Sequence, residues 1–81
     1  MRVSIRVLGF DTPAARDDDF DLPDGIKVDG AIKEYLKRYN IGVGFGELSK
    51  SQFLVDGKAC PLKGDLSEGC KLTIIRLLGG G

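Results

Sequence analysis

The residues of this chain that could carry chemistry stand at its very end. Leu72-Thr73-Ile74-Ile75-Arg76-Leu77-Leu78 reads as a strand and gives way to Gly79-Gly80-Gly81. Glycine loses more freedom on ordering than any other residue. Three of them after a strong strand are expected to form a bare flexible arm that ends in a free carboxylate. Either the arm is idle or that carboxylate is the reactive group of the protein.

Little else in the sequence competes with it. There is no histidine, which removes the commonest general acid/base and metal ligand and every Ser-His or Cys-His nucleophile pair. Cys60 and Cys70 are separated by nine intervening residues, so neither a CxxC redox pair nor a four-ligand zinc or iron–sulfur set is available. They read as small buried hydrophobes or strand-end residues, with a regulatory disulfide as the alternative. Gly42-Val43-Gly44-Phe45-Gly46-Glu47 invites a phosphate-loop reading. It fails because the third glycine of GxGxxG would fall on Glu47 and the segment follows a helix, not a strand. A flexible loop is expected there. Gly57-Lys58-Ala59 lacks the Ser/Thr of a P-loop.

The elements that must position the tail can be read from period and punctuation. Val3, Ile5 and Val7 alternate with Arg2, Ser4 and Arg6, the pattern of a half-buried strand. Phe20 and Leu22 alternate with aspartates and give a second, short strand closed by Pro23-Asp24-Gly25. From Val28 the period becomes helical: Val28, Ile32, Tyr35, Leu36 and Tyr39 share one face, with Lys33, Glu34, Lys37 and Arg38 opposite. Asp29 is the expected N-cap, Glu34 and Arg38 are spaced for an i,i+4 ion pair, and Asn40 with Gly42 supplies the stop. Phe53-Leu54-Val55 leads into Asp56-Gly57, a strong hairpin signal. Lys58-Ala59-Cys60 returns until Pro61, and the closing strand runs from Cys70 to Leu78.

The expected order is strand, strand, helix, strand, short strand, strand. One main helix on one face of a mixed sheet buries one apolar face per element. The first two strands should form a hairpin, and the helix should bring the last strand beside the first. With 81 residues, no linker and no repeat, one domain spanning 1–81 is expected, with a tail over 79–81.

Composition is that of an ordinary soluble domain, 42% hydrophobic and 30% charged. Its 12 Lys+Arg balance 12 Asp+Glu, which argues against non-specific nucleic-acid binding. No run approaches the ~20 apolar residues of a membrane span, and Arg2 and Arg6 interrupt any signal-peptide core. A cytoplasmic, reduced protein is the expectation. Asp11, Asp17, Asp18, Asp19, Asp21 and Asp24 crowd one region. It reads as a solvated acidic loop or as a docking patch for a basic partner.

Asp56-Gly57-Lys58, the stretch Leu66-Ser67-Glu68-Gly69-Cys70-Lys71-Leu72-Thr73-Ile74-Ile75 and the terminal glycines resemble the ThiS/MoaD family of ubiquitin-like sulfur carriers. The resemblance spans the whole chain in pattern. It is most specific from the VDGK turn at Val55–Lys58 onward. It implies an α+β, ubiquitin-like β-grasp with four to five strands on one helix. It also implies a carrier, not an enzyme. A ubiquitin-activating-type partner would adenylate the terminal carboxylate using ATP and Mg²⁺. A persulfide donor would displace AMP and leave a thiocarboxylate, and an acceptor synthase would take the sulfur. The family motif falls on Gly80 and Gly81, with Gly81 bearing the reacting carboxylate. No bound cofactor or metal is implied. Molybdopterin, thiamin thiazole, tungsten-cofactor and cysteine routes all fit the family. The family typically carries two glycines after a larger residue, so Gly79 is either an extra spacer or Gly81 is removed before activation. A ubiquitin-like modifier joined to lysines through its C-terminal glycine is a second reading. A plain interaction module with an inert tail is a third.

Gly79 to Gly81 reach at most ~10 Å beyond Leu78, at roughly 3.3–3.6 Å per residue. The body must therefore dock close to any partner that uses the tail. If Leu72 and Ile74 face the helix, Thr73, Ile75 and Leu77 face out, and Leu8 shares that side. Leu8, Ile75 and Leu77 would then form an apolar interface patch beside Gly79, with Arg76 at its rim or paired with a partner carboxylate. A bulge would reverse this parity and place the same residues in the core.

Overall fold

The computed structural model describes residues 1–10 and 17–77. Its elements are β1 (Arg2–Leu8), β2 (Asp18–Asp21), α1 (Val28–Arg38), α2 (Phe45–Leu48), β3 (Gln52–Val55), β4 (Lys58–Cys60) and β5 (Lys71–Ile75). The five strands form one mixed sheet in the order β2-β1-β5-β3-β4. β1 and β2 make the expected antiparallel hairpin, with Val3 opposite Phe20. β5 lies between β1, to which it runs parallel, and β3, to which it runs antiparallel. The last strand is thus the middle strand of the sheet. The architecture is α+β, with a single main helix, and is β-grasp-like in its order.

Alternation explains which face is covered. Val3, Ile5, Leu72 and Ile74 are completely buried, as are Val28, Ala31 and Ile32 of α1. Burying each such Val, Leu or Ile side chain contributes about 1.5–3 kcal/mol, so one sheet face against one helix stripe supplies most of the core. Tyr35 joins it between Phe20 and Tyr39, at ring-centroid distances of 5.8 and 5.0 Å. Burial pushes its phenol pKa up.

Helix α1 departs from the sequence reading at three side chains. Asp29 is not the N-cap, since that position belongs to Lys27, which makes no side-chain cap. The orphan helix donors are met by a distant loop instead: Val28 N–H donates to Gly64 O at 3.0 Å and Asp29 N–H to Leu62 O at 2.9 Å. Asp29 sits in the first turn. It accepts from its neighbour Gly30 N–H at 2.9 Å and from Lys63 Nζ at 2.5 Å. The hydrogen bond from Lys63 holds its carboxyl below the usual range, with help from Gly30 N–H. Lys27 and Asp65 add a second pair between the same segments. Glu34 pairs with Lys37 at 2.9 Å, not with Arg38. Arg38 lies over the Phe20 ring at 3.7 Å and donates to Asp19 O at 3.0 Å. An aromatic face on the neighbouring strand outcompetes an exposed ion pair worth a few tenths of a kcal/mol. The stop is as read: Gly42 has φ +79° and its N–H donates to Asn40 Oδ1 at 3.2 Å.

The glycine-rich stretch after α1 is not wholly loop. Phe45–Leu48 forms one helical turn, α2. Leu48 is fully buried, and the Lys33 ammonium stands 5.2 Å over the Phe45 ring. One turn is enough to bring Leu48 into the core, and no periodicity can show in so few residues. The hairpin β3–β4 turns at Asp56 (φ +50°) and Gly57 (φ +83°), the backbone of a type I′ turn. β5 ends at Ile75 instead of running to Leu78.

No helix among the described residues is long and apolar enough to cross a membrane.

Candidate functional site

The glycines expected to carry the chemistry, Gly79, Gly80 and Gly81, lie outside the described residues. What the structure shows is the surface from which they are reached. Register between β1 and β5 runs without a bulge from Ser4 opposite Lys71 to Leu8 opposite Ile75. Parity is therefore not reversed. Val7 and Ile74 face the helix, whereas Leu8 and Ile75 face away from it and stay half-buried. Leu77 is 60% exposed, the one large hydrophobic so exposed among the described residues.

The outer face is wider than the sequence reading made it. Thr73 lies opposite Leu54 and Ile75 opposite Gln52, and Leu54 in turn lies opposite Ala59. Leu54 therefore extends the apolar strip of Leu8 and Ile75 across three strands. The sequence assigns it no side, because Phe53-Leu54-Val55 is a continuous apolar run whose period says nothing about sides. Its pairing with Thr73 does.

Toward the other end of the same face the side chains are charged. Asp17 accepts from Arg6 Nε at 2.8 Å on one oxygen and lies 3.0 Å from Lys71 Nζ on the other. It ties β1 and β5 to the start of β2. Its carboxyl is held below the usual range first by the hydrogen bond from Lys71; desolvation opposes this, and the charges of Arg6 and Lys71 add to the lowering. Arg2 faces Asp21 at 3.6 Å, and the Met1 amino group donates to Leu22 O at 2.6 Å with Asp24 3.4 Å away. Much of the acidic run is thus matched to cations of its own sheet. Asp11 lies outside the described residues.

Arg76, expected at the rim of the patch or paired with a partner carboxylate, is exposed. Its N–H donates to Leu8 O at 3.0 Å, and its guanidinium stands 5.2 Å over the Phe10 ring. Phe10 is itself half-buried against the core. Between them, Gly9 has φ +85°, and a Cβ there would come within 2.8 Å of Arg76 Cβ.

Chemistry of the side chains is sparse. Cys70 is buried and Cys60 half-buried, and both are free thiols. Burial, and secondarily the neighbouring Cys70, push the Cys60 thiol up, which lowers its thiolate fraction and hence its reactivity. Among the described residues no His/Cys/Asp/Glu group could hold a metal ion, and there is no enclosed cavity.

No protein-family model matches the chain, and no curated protein matches it.

Proposed function

We propose that the chain is a ubiquitin-like β-grasp sulfur carrier of the ThiS/MoaD kind, a protein co-substrate whose C-terminal carboxylate is the reacting group. The observation that carries this reading is the placement of β5. The strand that runs into Gly79-Gly80-Gly81 is the middle strand of the sheet, hydrogen-bonded on both sides. The tail thereby follows a strand that is paired along both edges. Beside that root lie Leu8, Ile75, Leu54 and the exposed Leu77, an apolar strip suited to docking.

The chemistry follows from the residue types. A terminal carboxylate oxygen attacks the α-phosphorus of ATP on a ubiquitin-activating-type partner enzyme with Mg²⁺, and pyrophosphate leaves. The terminal sulfur of a protein persulfide attacks the activated carbonyl, and AMP leaves. A second thiol attacks the donor-side sulfur of the resulting acyl disulfide, forms a disulfide with the donor cysteine, loses its proton to solvent and releases the thiocarboxylate. An acceptor synthase in cofactor biosynthesis, of the molybdopterin or thiamin type, then takes the sulfur. Glycine at the last two positions lets the backbone enter a narrow channel without side-chain clash. Gly81 bears the carboxylate, Gly80 and Gly79 thread the channel, and Leu8, Ile75 and Leu77 meet the partner's surface. The carrier itself needs no bound cofactor or metal and no nucleophilic side chain.

Incubation with ATP, Mg²⁺ and a purified ubiquitin-activating-type enzyme from the same organism, read by intact-protein mass, tests the proposal. An AMP adduct on the full-length chain that disappears when Gly80 and Gly81 are deleted supports it. High-mass conjugates to lysines in place of sulfur uptake would make the chain a ubiquitin-like modifier. Full activity in cells without Gly80 and Gly81 would make it an interaction module.

A further inference from the structure

Two chain segments leave the sheet together at one end. β1 stops at Leu8 and turns through Gly9 into Phe10, while β5 stops at Ile75 and continues as Arg76 and Leu77. They are tied to each other in three ways. Arg76 N–H donates to Leu8 O at 3.0 Å, which extends the ladder one rung past the strand. Gly9 lets the two backbones approach so closely that a Cβ at Gly9 would stand 2.8 Å from Arg76 Cβ, at a φ of +85° that side chains rarely adopt. The Arg76 guanidinium covers the Phe10 ring at 5.2 Å, within the range of cation–π attraction. Phe10 is anchored in turn by packing on the core.

We infer that Gly9, Phe10 and Arg76 form a clasp that sets the direction in which the C-terminal tail leaves the fold, and that they act as positioning residues for activation of the tail. This rests on the carrier reading. Arg76 stands five residues before Gly81 in the chain, so the part assigned to the three is not in the chemical step. Their part is to order the root. The tail is so short that any freedom at its root displaces the carboxylate by a large share of the tail's reach. A partner that binds a loose root must order it at the moment of binding. A root fixed by the fold removes that requirement, and its benefit appears in binding rather than in the chemical step.

The test uses the full-length chain with ATP, Mg²⁺ and the same purified adenylating enzyme. It compares Phe10→Leu, Phe10→Tyr, Arg76→Gln and Gly9→Ala, with thermal unfolding of each. Phe10→Leu keeps the apolar packing but removes the ring face, and Phe10→Tyr restores it. Phe10→Leu, Arg76→Gln and Gly9→Ala are expected to raise KM for the carrier roughly 5- to 30-fold, the factor associated with freeing about one ordered residue. They should leave kcat little changed, and Phe10→Tyr should behave as wild type. The Phe10→Leu, Arg76→Gln double variant should be no worse than either single change, because both break one contact. In ¹⁵N relaxation, the Arg76 and Leu77 amides should lose order in the same variants. If Phe10→Leu does not fold, Gly9→Ala takes its place beside Arg76→Gln. Wild-type adduct formation with unchanged KM in Phe10→Leu and Gly9→Ala overturns the clasp and leaves the carrier reading standing. A rise confined to Arg76→Gln also overturns it, because Arg76 would then meet the partner directly. No adduct on the wild-type chain overturns the carrier reading and the positioning role together.

Discussion

Leu8 and Ile75 lie directly opposite each other in the parallel register of β1 and β5 and face away from the helix. Their immediate neighbours Val7 and Ile74 form the adjacent pair and are buried beneath it. Adjacent positions on one strand therefore separate two roles, which substitution can resolve. Ile74→Ala should cost about 2–5 kcal/mol in urea unfolding, the range for a fully buried aliphatic. Ile75→Ser should cost less than about 1 kcal/mol. It should lower kcat/KM for tail adenylation roughly tenfold, the scale of a moderate interface anchor. Equal effects of the two changes on stability and on adenylation would place Ile75 in the core and remove the docking face.

Asp17 makes a pH dependence predictable. Arg6 and Lys71 hold its folded-state pKa below the ordinary carboxylate value of 3.8. Its contribution to stability is present above the unfolded-state value and is lost as pH falls through the lower folded value. Asp17→Asn should thus be less stable than wild type near pH 7, by an amount that narrows steadily as the solution is acidified below pH 4. Added salt should narrow it as well. Urea midpoints at several pH values check this, and a difference that does not vary with pH would mean that the pairing contributes nothing. Asp29, held down by Lys63 and by Gly30 N–H, should show the same sign.

The Asp56-Gly57 turn holds the start of β5. Asp56 Oδ1 accepts from Lys71 N–H at 2.9 Å, and Asp56 N–H donates to Lys71 O at 2.9 Å. The turn of one hairpin thus pins the first residue of β5. Gly57→Val forces a branched side chain to φ +83° and should cost about 1–2 kcal/mol. Asp56→Asn keeps an acceptor and tolerates positive φ, so it should stay within about 0.5 kcal/mol of wild type. Chemical denaturation separates the two, and a neutral Gly57→Val would show that the turn is not held in this conformation.

The thiols should be dispensable for sulfur transfer. Cys60 has its pKa pushed up and Cys70 is buried, so iodoacetamide should label Cys60 more slowly than a free peptide thiol and Cys70 more slowly still. Cys60→Ala and Cys70→Ala should each retain sulfur uptake in the mass assay. Abolition of uptake by Cys60→Ala would show that sulfur is held on the side chain and not on the terminal carboxylate.

The order of the strands and main helix along the chain, the β1–β2 hairpin, the Asp56-Gly57 turn and the buried Val28, Ile32 and Tyr35 of α1 are legible because each depends on short-range pattern, whereas Leu36 and Tyr39 of the same expected face are only half-buried. Period two in Val3, Ile5 and Val7 and helical period from Val28 to Tyr39 leave little choice. Apart from α2, too short to show a period, and the early end of β5, the differences share one cause. Asp29 was read as a cap, but the cap comes from the carbonyls of Leu62 and Gly64, far along the chain. Arg38 was paired with Glu34 along the helix, but Phe20 across the sheet takes it. Arg76, expected at the rim or paired with a partner carboxylate, is exposed, and its contact with the Phe10 ring has no trace in the sequence. Leu54 was left without a side because its neighbours are also apolar. In each case the deciding partner is brought close only by the tertiary fold, and local spacing carries no record of it.

The central claim is that sulfur is carried on the terminal carboxylate. The most direct measurement is the mass of the C-terminal peptide after the full-length chain has met ATP, Mg²⁺, its adenylating enzyme and a persulfide donor with a reducing thiol. The account predicts a gain equal to one oxygen replaced by sulfur, confined to the peptide ending at Gly81, or at Gly80 if Gly81 is first removed. It also predicts no gain when Gly80 and Gly81 are both deleted. A C-terminal peptide that keeps its carboxylate mass while the chain gains sulfur elsewhere, or not at all, would contradict it.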